Sequence, residues 1–169
     1  SPQPSTPPAP TPTPPPPAQL IIPSLGVSKT LAYIPVENGQ WNLENLESGI
    51  GHLQTTGEYP GDDVGMTFVG HVTRPWPEIA GPFADLIFMK PGDEIIYRWD
   101  GFDYVYGLEG FARVKPEAVE YLYIEDGDVI TLATCDTWDY VEWEYADRLL
   151  ARARLLRKVP TPQDEPMLQ

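Results

Sequence analysis

Apolar residues fall in many short runs rather than in long helical stripes, and that is the pattern of a mainly β protein. "QLIIPSL" and "LAYIPVE" are brief apolar stretches broken by Pro23 and Pro35. "GMTFVGHV" predicts a strand over 65–72. "PFADLIFM" begins with a short helical turn, and Pro91-Gly92-Asp93 ends it before a strand over 94–99. Asp100-Gly101 is a hairpin signal. "FDYVYGLEGFARV" then alternates, with Tyr104, Tyr106 and Leu108 on one face. "KPEAVEYLYIEDGD" reads as a loop with one helical turn, and "DVITLATC" as a strand that runs out at Cys135. "QWNLENLESGIGHL" is mixed, and leaves His52 among turn residues. The segment "EYADRLLARARLLR" satisfies two patterns. Its Ala, Leu, Arg and Glu are good helix formers. Its alternation also suits a strand with Leu149, Ala151, Ala153 and Leu155 on one face and Arg148, Arg152 and Arg154 on the other. The company of so many short runs favours the strand.

Composition sets the limits of the folded unit. The first seventeen residues hold ten of the 21 prolines and no large apolar side chain. Such a stretch buries too little surface to offset its ordering entropy. Residues 1–18 are therefore expected to be a disordered Pro/Thr-rich tether reaching about 50 Å. Residues 19–159 form the globular part, and 160–169 a flexible tail. About 140 residues suffice for one core. No apolar run approaches the roughly 20 residues that span a bilayer. A Pro/Thr stalk suits a domain held off a membrane or wall by an anchor that lies upstream of the sequence. The formal net charge of −14 argues against nucleic acid and anionic lipid as partners.

The chain has one cysteine and two histidines. A single cysteine rules out an internal disulfide framework and a cysteine zinc site. It leaves a buried thiol or a nucleophile. A thiol needs an imidazole to activate it, and a cation or dipole to hold the oxyanion of a tetrahedral intermediate. His71 ends one predicted strand as Cys135 ends another, whereas His52 does not. Arg148 opens the strand after Cys135, and antiparallel pairing would set the end of one strand opposite the start of the next. Cys135, His71 and Arg148 can thus meet on one rim. A hydrogen-bonded structural histidine and a solvated arginine face are the bland alternatives.

The residues resemble a family. "TLATC" matches the TLxTC signature of sortases, the cysteine transpeptidases of bacterial cell surfaces. "LIIPSLGV", the segment ending in Gly70-His71, "PFADLIFMKPGDEI" and "DRLLARARL" are similar to family stretches in the same order, across about residues 20–157. The resemblance implies a closed, mixed, eight-stranded β-barrel with one or two short helices. It implies that the last segment is a strand. It places Cys135 as nucleophile, His71 as general acid/base and Arg148 as stabiliser of the oxyanion or substrate. The implied reaction is cleavage of an LPxTG-like sorting signal after Thr through a thioacyl-enzyme, with transfer to a primary amine of peptidoglycan precursor or a pilin lysine. The implied location is the extracytoplasmic face of the membrane. The subclass is left open, with classes D and E as candidates.

This sequence also departs from the family. Asp136 follows the cysteine directly, and Asp139, Glu142, Glu144 and Asp147 follow it. Carboxylates near a thiolate oppose its formation. They could also attract a cationic acceptor or bind calcium, although no cofactor is expected. Thr134, Trp138 and Trp143 are candidate substrate-binding residues, and both tryptophans could equally cap the core. Two other readings stay open: a peptide-binding module on the same barrel that has lost catalysis, and a tethered surface domain with an inert thiol.

Overall fold

The computed structural model describes residues 4–8, 17–43, 46, 48–75, 78–139 and 144–163. Within these, 73–75, 78–79, 135–139 and 144–146 are described by backbone alone. Among the described residues twelve strands follow in order: β1 (Gln19–Ile22), β2 (Val27–Ile34), β3 (Val36–Glu37), β4 (Gln40–Trp41), β5 (Ile50–Leu53), β6 (Thr67–Gly70), β7 (Thr73–Pro75), β8 (Glu78–Ala80), β9 (Glu94–Trp99), β10 (Phe102–Val114), β11 (Val129–Asp139) and β12 (Glu144–Pro160). Eight of them close a barrel in the order β1-β2-β5-β6-β11-β12-β10-β9. The β2–β5 and β6–β11 pairs are parallel and the others antiparallel, so the barrel is mixed, as the family resemblance implied. The helical content among the described residues is three 3-10 turns, at Pro23–Leu25, Leu86–Phe88 and Val119–Leu122.

Local sequence explains the joints. Asp100 and Gly101 take φ of 51° and 81°, the two left-handed residues of a two-residue hairpin between β9 and β10. Asn38 and Gly39 repeat the device between β3 and β4, with φ of 53° and 78°. The last segment is strand β12, paired on one side with β10 and on the other with β11. Helix propensity loses here because burial on a sheet rewards alternation more than propensity rewards a helix. The ladder runs on to Pro160, and Thr161 is tied beyond it: its N–H donates to the Gly101 carbonyl and its hydroxyl to Asp103. Asp103, buried, also accepts two bonds from the Arg98 guanidinium at 2.8 and 2.9 Å. Those bonds hold its carboxyl below the usual carboxylate range.

Two apolar cores result. The first fills the barrel, with Leu20, Ile22, Phe68, Ile95, Tyr106, Ile130, Leu132, Leu149, Ala151 and Ala153 pointing inward. The second lies outside the sheet, and joins Ile34, Leu53, Val69, Ala133 and Leu150 to Leu46 and Leu122. Leu150 belongs to the face on which the sequence shows Arg148, Arg152 and Arg154. That face is therefore only partly solvated.

Candidate active site

The outer face of β6, β11 and β12 is ordered in rows by the strand register. Thr131 pairs with Thr67 on one side and Arg152 on the other. Two residues on, Ala133 pairs with Val69 and Leu150. Two residues further, Cys135 pairs with Arg148. Carrying the parallel β6–β11 register on by the same two residues brings Cys135 level with His71. Neighbouring strands lie about 4.8 Å apart, so the three backbones fall within one row about 10 Å wide. Position 135 has the parity of Val129, Thr131 and Ala133, opposite to the barrel-filling Ile130 and Leu132.

The first two rows are covered. The Thr67 hydroxyl donates to the Leu122 carbonyl at 2.7 Å, and the Arg152 guanidinium donates to the Tyr121 carbonyl. These bonds clamp the 3-10 turn Val119–Leu122 onto the sheet and seat Leu122 in the outer core. Arg152 is therefore an anchor. Burial pulls its pKa below the ordinary value, and its Nε has no hydrogen-bond partner among the described residues. Arg154 is engaged too, with Asp126 at 3.0 Å and Glu109 at 3.5 Å.

Strand β11 does not stop at Cys135 but continues to Asp139, with register shifts between Cys135 and Thr137 and between Thr137 and Trp138. The cysteine stands where the regular ladder breaks, which is the kind of place where a bulge re-aims a chain. Likewise β12 begins at Glu144, four residues before Arg148. Thr134 is 2% exposed and of inward parity, and its hydroxyl has no hydrogen-bond partner among the described residues. Trp138 pairs through its backbone with Tyr145. Trp143 lies outside the described residues. Of the five carboxylates after Cys135, Asp147 is paired with Lys115 Nζ at 2.7 Å. Among the described residues no group of three or more His, Cys, Asp or Glu side chains could hold a metal ion.

His52 is not in a turn. It lies in β5, 7% exposed, opposite Phe68 of β6. The glycines around it mimic a turn signal but serve close packing: a Cβ on Gly51 would come within 2.3 Å of the Ile34 side chain. The ring packs 5.1 Å from Phe68 and edge-on to Tyr33, and its Nε2–H donates to the Gly57 carbonyl at 2.6 Å. Burial pushes its pKa below the ordinary histidine value, against the opposing pull of that carbonyl and of Glu58. Neutral in the fold and protonated when unfolded, His52 contributes stability that is present above about pH 6.5 and is lost as pH falls below it. The melting temperature is expected to drop between pH 7 and pH 5.5, and His52→Gln, which can still donate to Gly57, to flatten that slope. An unchanged slope in the variant would assign it to other groups.

Comparison with known proteins agrees with the architecture. The model of the sortase domain matches residues 20–156. The structure is similar to sortase C-1 from Actinomyces oris, with TM-score 0.68 and 26% identity over 83% of this chain and 71% of that one. It is equally similar to sortase A from Corynebacterium diphtheriae, with TM-score 0.68 and 26% identity, covering 86% of this chain and 63% of that one. A Clostridium perfringens sortase D5 transpeptidase shares the fold, with TM-score 0.63 and 23% identity over 83% of this chain and 79% of that one. The chain thus spans just under two thirds of the Corynebacterium structure. A search of curated protein sequences finds no match. With the family domain running over nearly the whole barrel, the chain belongs to the sortases, a family of cysteine transpeptidases.

Proposed function

We propose that this chain cleaves an LPxTG-like sorting signal after its Thr and transfers the acyl group to a primary amine. The observation that carries the reading is the pairing of Cys135 with Arg148 in the β11–β12 ladder, with His71 one residue past the end of β6, the strand parallel to β11. The Cys135 thiolate attacks the Thr carbonyl carbon and forms a C–S bond. Arg148 donates hydrogen bonds to the developing oxyanion or to the substrate backbone. The tetrahedral intermediate collapses, the C–N bond breaks, and His71 as imidazolium gives its proton to the leaving amine. An incoming primary amine then attacks the thioester carbonyl, gives its proton to the now neutral His71 and displaces the Cys135 thiolate; water in its place gives hydrolysis.

The partners of such a reaction are surface proteins that carry a C-terminal sorting signal, with an acceptor amine from peptidoglycan precursor or pilin. It takes place on the outer face of the membrane. The Pro/Thr-rich segment fits a stalk there, and no described helix is long and apolar enough to cross a membrane itself. The acidic balance of −14 concentrates cationic acceptors rather than anionic ones.

The test is a panel of LPxTG-type peptides varied at the second and fifth positions, incubated with and without a triglycine acceptor. Mass spectrometry is expected to show a new Thr–glycine amide with acceptor, and slow hydrolysis without it. Peptide binding with neither product would leave only a non-catalytic binding module.

A further inference from the structure

His71 stands one residue beyond the end of β6 at Gly70, so the sheet ladder does not hold it. Its backbone is held by the segment that closes the β7–β8 hairpin. The Phe83 N–H donates to the His71 carbonyl at 3.2 Å, and the Gly81 N–H donates to the Val72 carbonyl at 2.6 Å. The contact at Gly81 is closer than any side chain permits. A Cβ there would lie 1.9 Å from the His71 oxygen, 2.4 Å from its carbonyl carbon and 3.1 Å from its Cβ. On the other side of His71, a Cβ on Gly70 would lie 2.9 to 3.1 Å from the ring of Phe83. That ring is 1% exposed and belongs to the barrel core. The residue before His71 and its own carbonyl are thus both set against one short tract, Gly81–Phe83, which the core fixes in place.

We infer that Gly81 and Phe83 are positioning residues for His71, a backstop that sets the depth at which its imidazole meets Cys135. The inference rests on the proposed reading of His71 as the general acid/base. A glycine is needed at 81 because backbone meets backbone there, and at 70 because an aromatic ring lies on it. Gly70-His71 and Gly81-Pro82-Phe83 then form one device, although the glycines lie eleven positions apart. An imidazole displaced by the ångström or so that relieving such a contact requires would still let substrate bind. It would transfer its proton poorly, since proton transfer depends steeply on donor–acceptor geometry.

The experiment compares wild type, His71→Ala, Gly81→Ala, Phe83→Leu and a control, Gly110→Ala, whose added Cβ meets nothing within 4 Å. Each is read by kcat and KM on the best cleaved peptide, and by the pH profile of Cys135 alkylation. Gly81→Ala is expected to lower kcat about 10- to 100-fold with KM within about threefold. It is also expected to move the alkylation profile toward that of His71→Ala, with circular dichroism unchanged. Gly110→Ala should match wild type. Should Gly81→Ala fail to fold, Gly70→Ala decides: it should lose kcat alone and regain part of it when combined with Phe83→Leu, which removes the ring it strikes. Wild-type kcat and alkylation in a folded Gly81→Ala, or no rescue in the double variant, overturns the inference. A His71→Ala that itself behaves as wild type would instead sink the assignment of His71, a separate failure.

Discussion

Cys135→Ala is expected to remove all thioacyl formation and all transpeptidation while leaving the barrel folded. The reaction proposed here needs a nucleophile that survives as a covalent intermediate, and no other side chain in the chain is a thiol. Alanine supplies neither attack nor leaving group, so turnover should fall to background. The fold should tolerate the change because alanine already serves two residues earlier in the same ladder, at Ala133, and little volume is removed. The melting temperature is expected to stay within a few degrees of wild type. A single cysteine also makes the readout unambiguous. Any acyl adduct trapped by mass spectrometry on the wild type must sit on Cys135 if it is a thioester. An adduct of the same mass on the alanine variant would show that another residue is the nucleophile. A fast alkylation of wild-type Cys135 at neutral pH is expected from the same logic, and an inert thiol would favour a surface domain without catalysis.

The barrel was largely legible in the sequence, and the reasons are local. The strand at 94–99, the Asp100-Gly101 turn and the long strand after it each carry their own signal within a few residues. Strand β12 carried two contradictory signals; the surrounding short runs tipped the balance to strand, and resemblance to a family settled it. His52 was misread as a turn residue because Gly49, Gly51 and Gly57 surround it. Glycines that allow close packing look the same in sequence as glycines that allow a turn. The outer core was not legible at all. Alternation along β12 assigns Arg148, Leu150, Arg152 and Arg154 to one face, but it does not say what covers that face. The cover is the turn Val119–Leu122, some thirty residues away, and nothing in "EAVEYLY" announces where it docks. The row His71–Cys135–Arg148 lies between these cases. The sequence shows three residues near strand ends. The parallel β6–β11 register, which no local pattern encodes, pairs Thr131 with Thr67 and Ala133 with Val69, and carried on by two residues it brings Cys135 level with His71.

The β11–β12 register makes a sharp prediction about three of the four arginines of β12, Arg148, Arg152 and Arg154. Arg148 pairs directly with Cys135. Arg152 and Arg154 lie about 13 and 20 Å further along the strand, beyond reach of a carbonyl held at the thiol. They also have other work: Arg152 ties down the Tyr121 carbonyl, and Arg154 meets Asp126 and Glu109. Arg148→Ala should therefore lower kcat/KM by about 10²-fold or more, the loss expected for a donor to a developing oxyanion. Arg148→Lys should recover little of it, because an ammonium does not reproduce the planar fork of a guanidinium. Arg154→Ala removes exposed ion pairs and should leave both stability and kcat/KM close to wild type. Arg152→Ala should behave differently from both. It leaves the Tyr121 carbonyl without its clamp and loosens the cover of the outer core, so it should cost about 1–3 kcal/mol of folding stability. Its kcat/KM per folded molecule should nevertheless stay far closer to wild type than that of Arg148→Ala. Denaturant titration and peptide cleavage measured on the same four preparations separate these effects. If folded Arg152→Ala is as slow as Arg148→Ala, the β11–β12 register does not set the site, and the row proposed here is wrong.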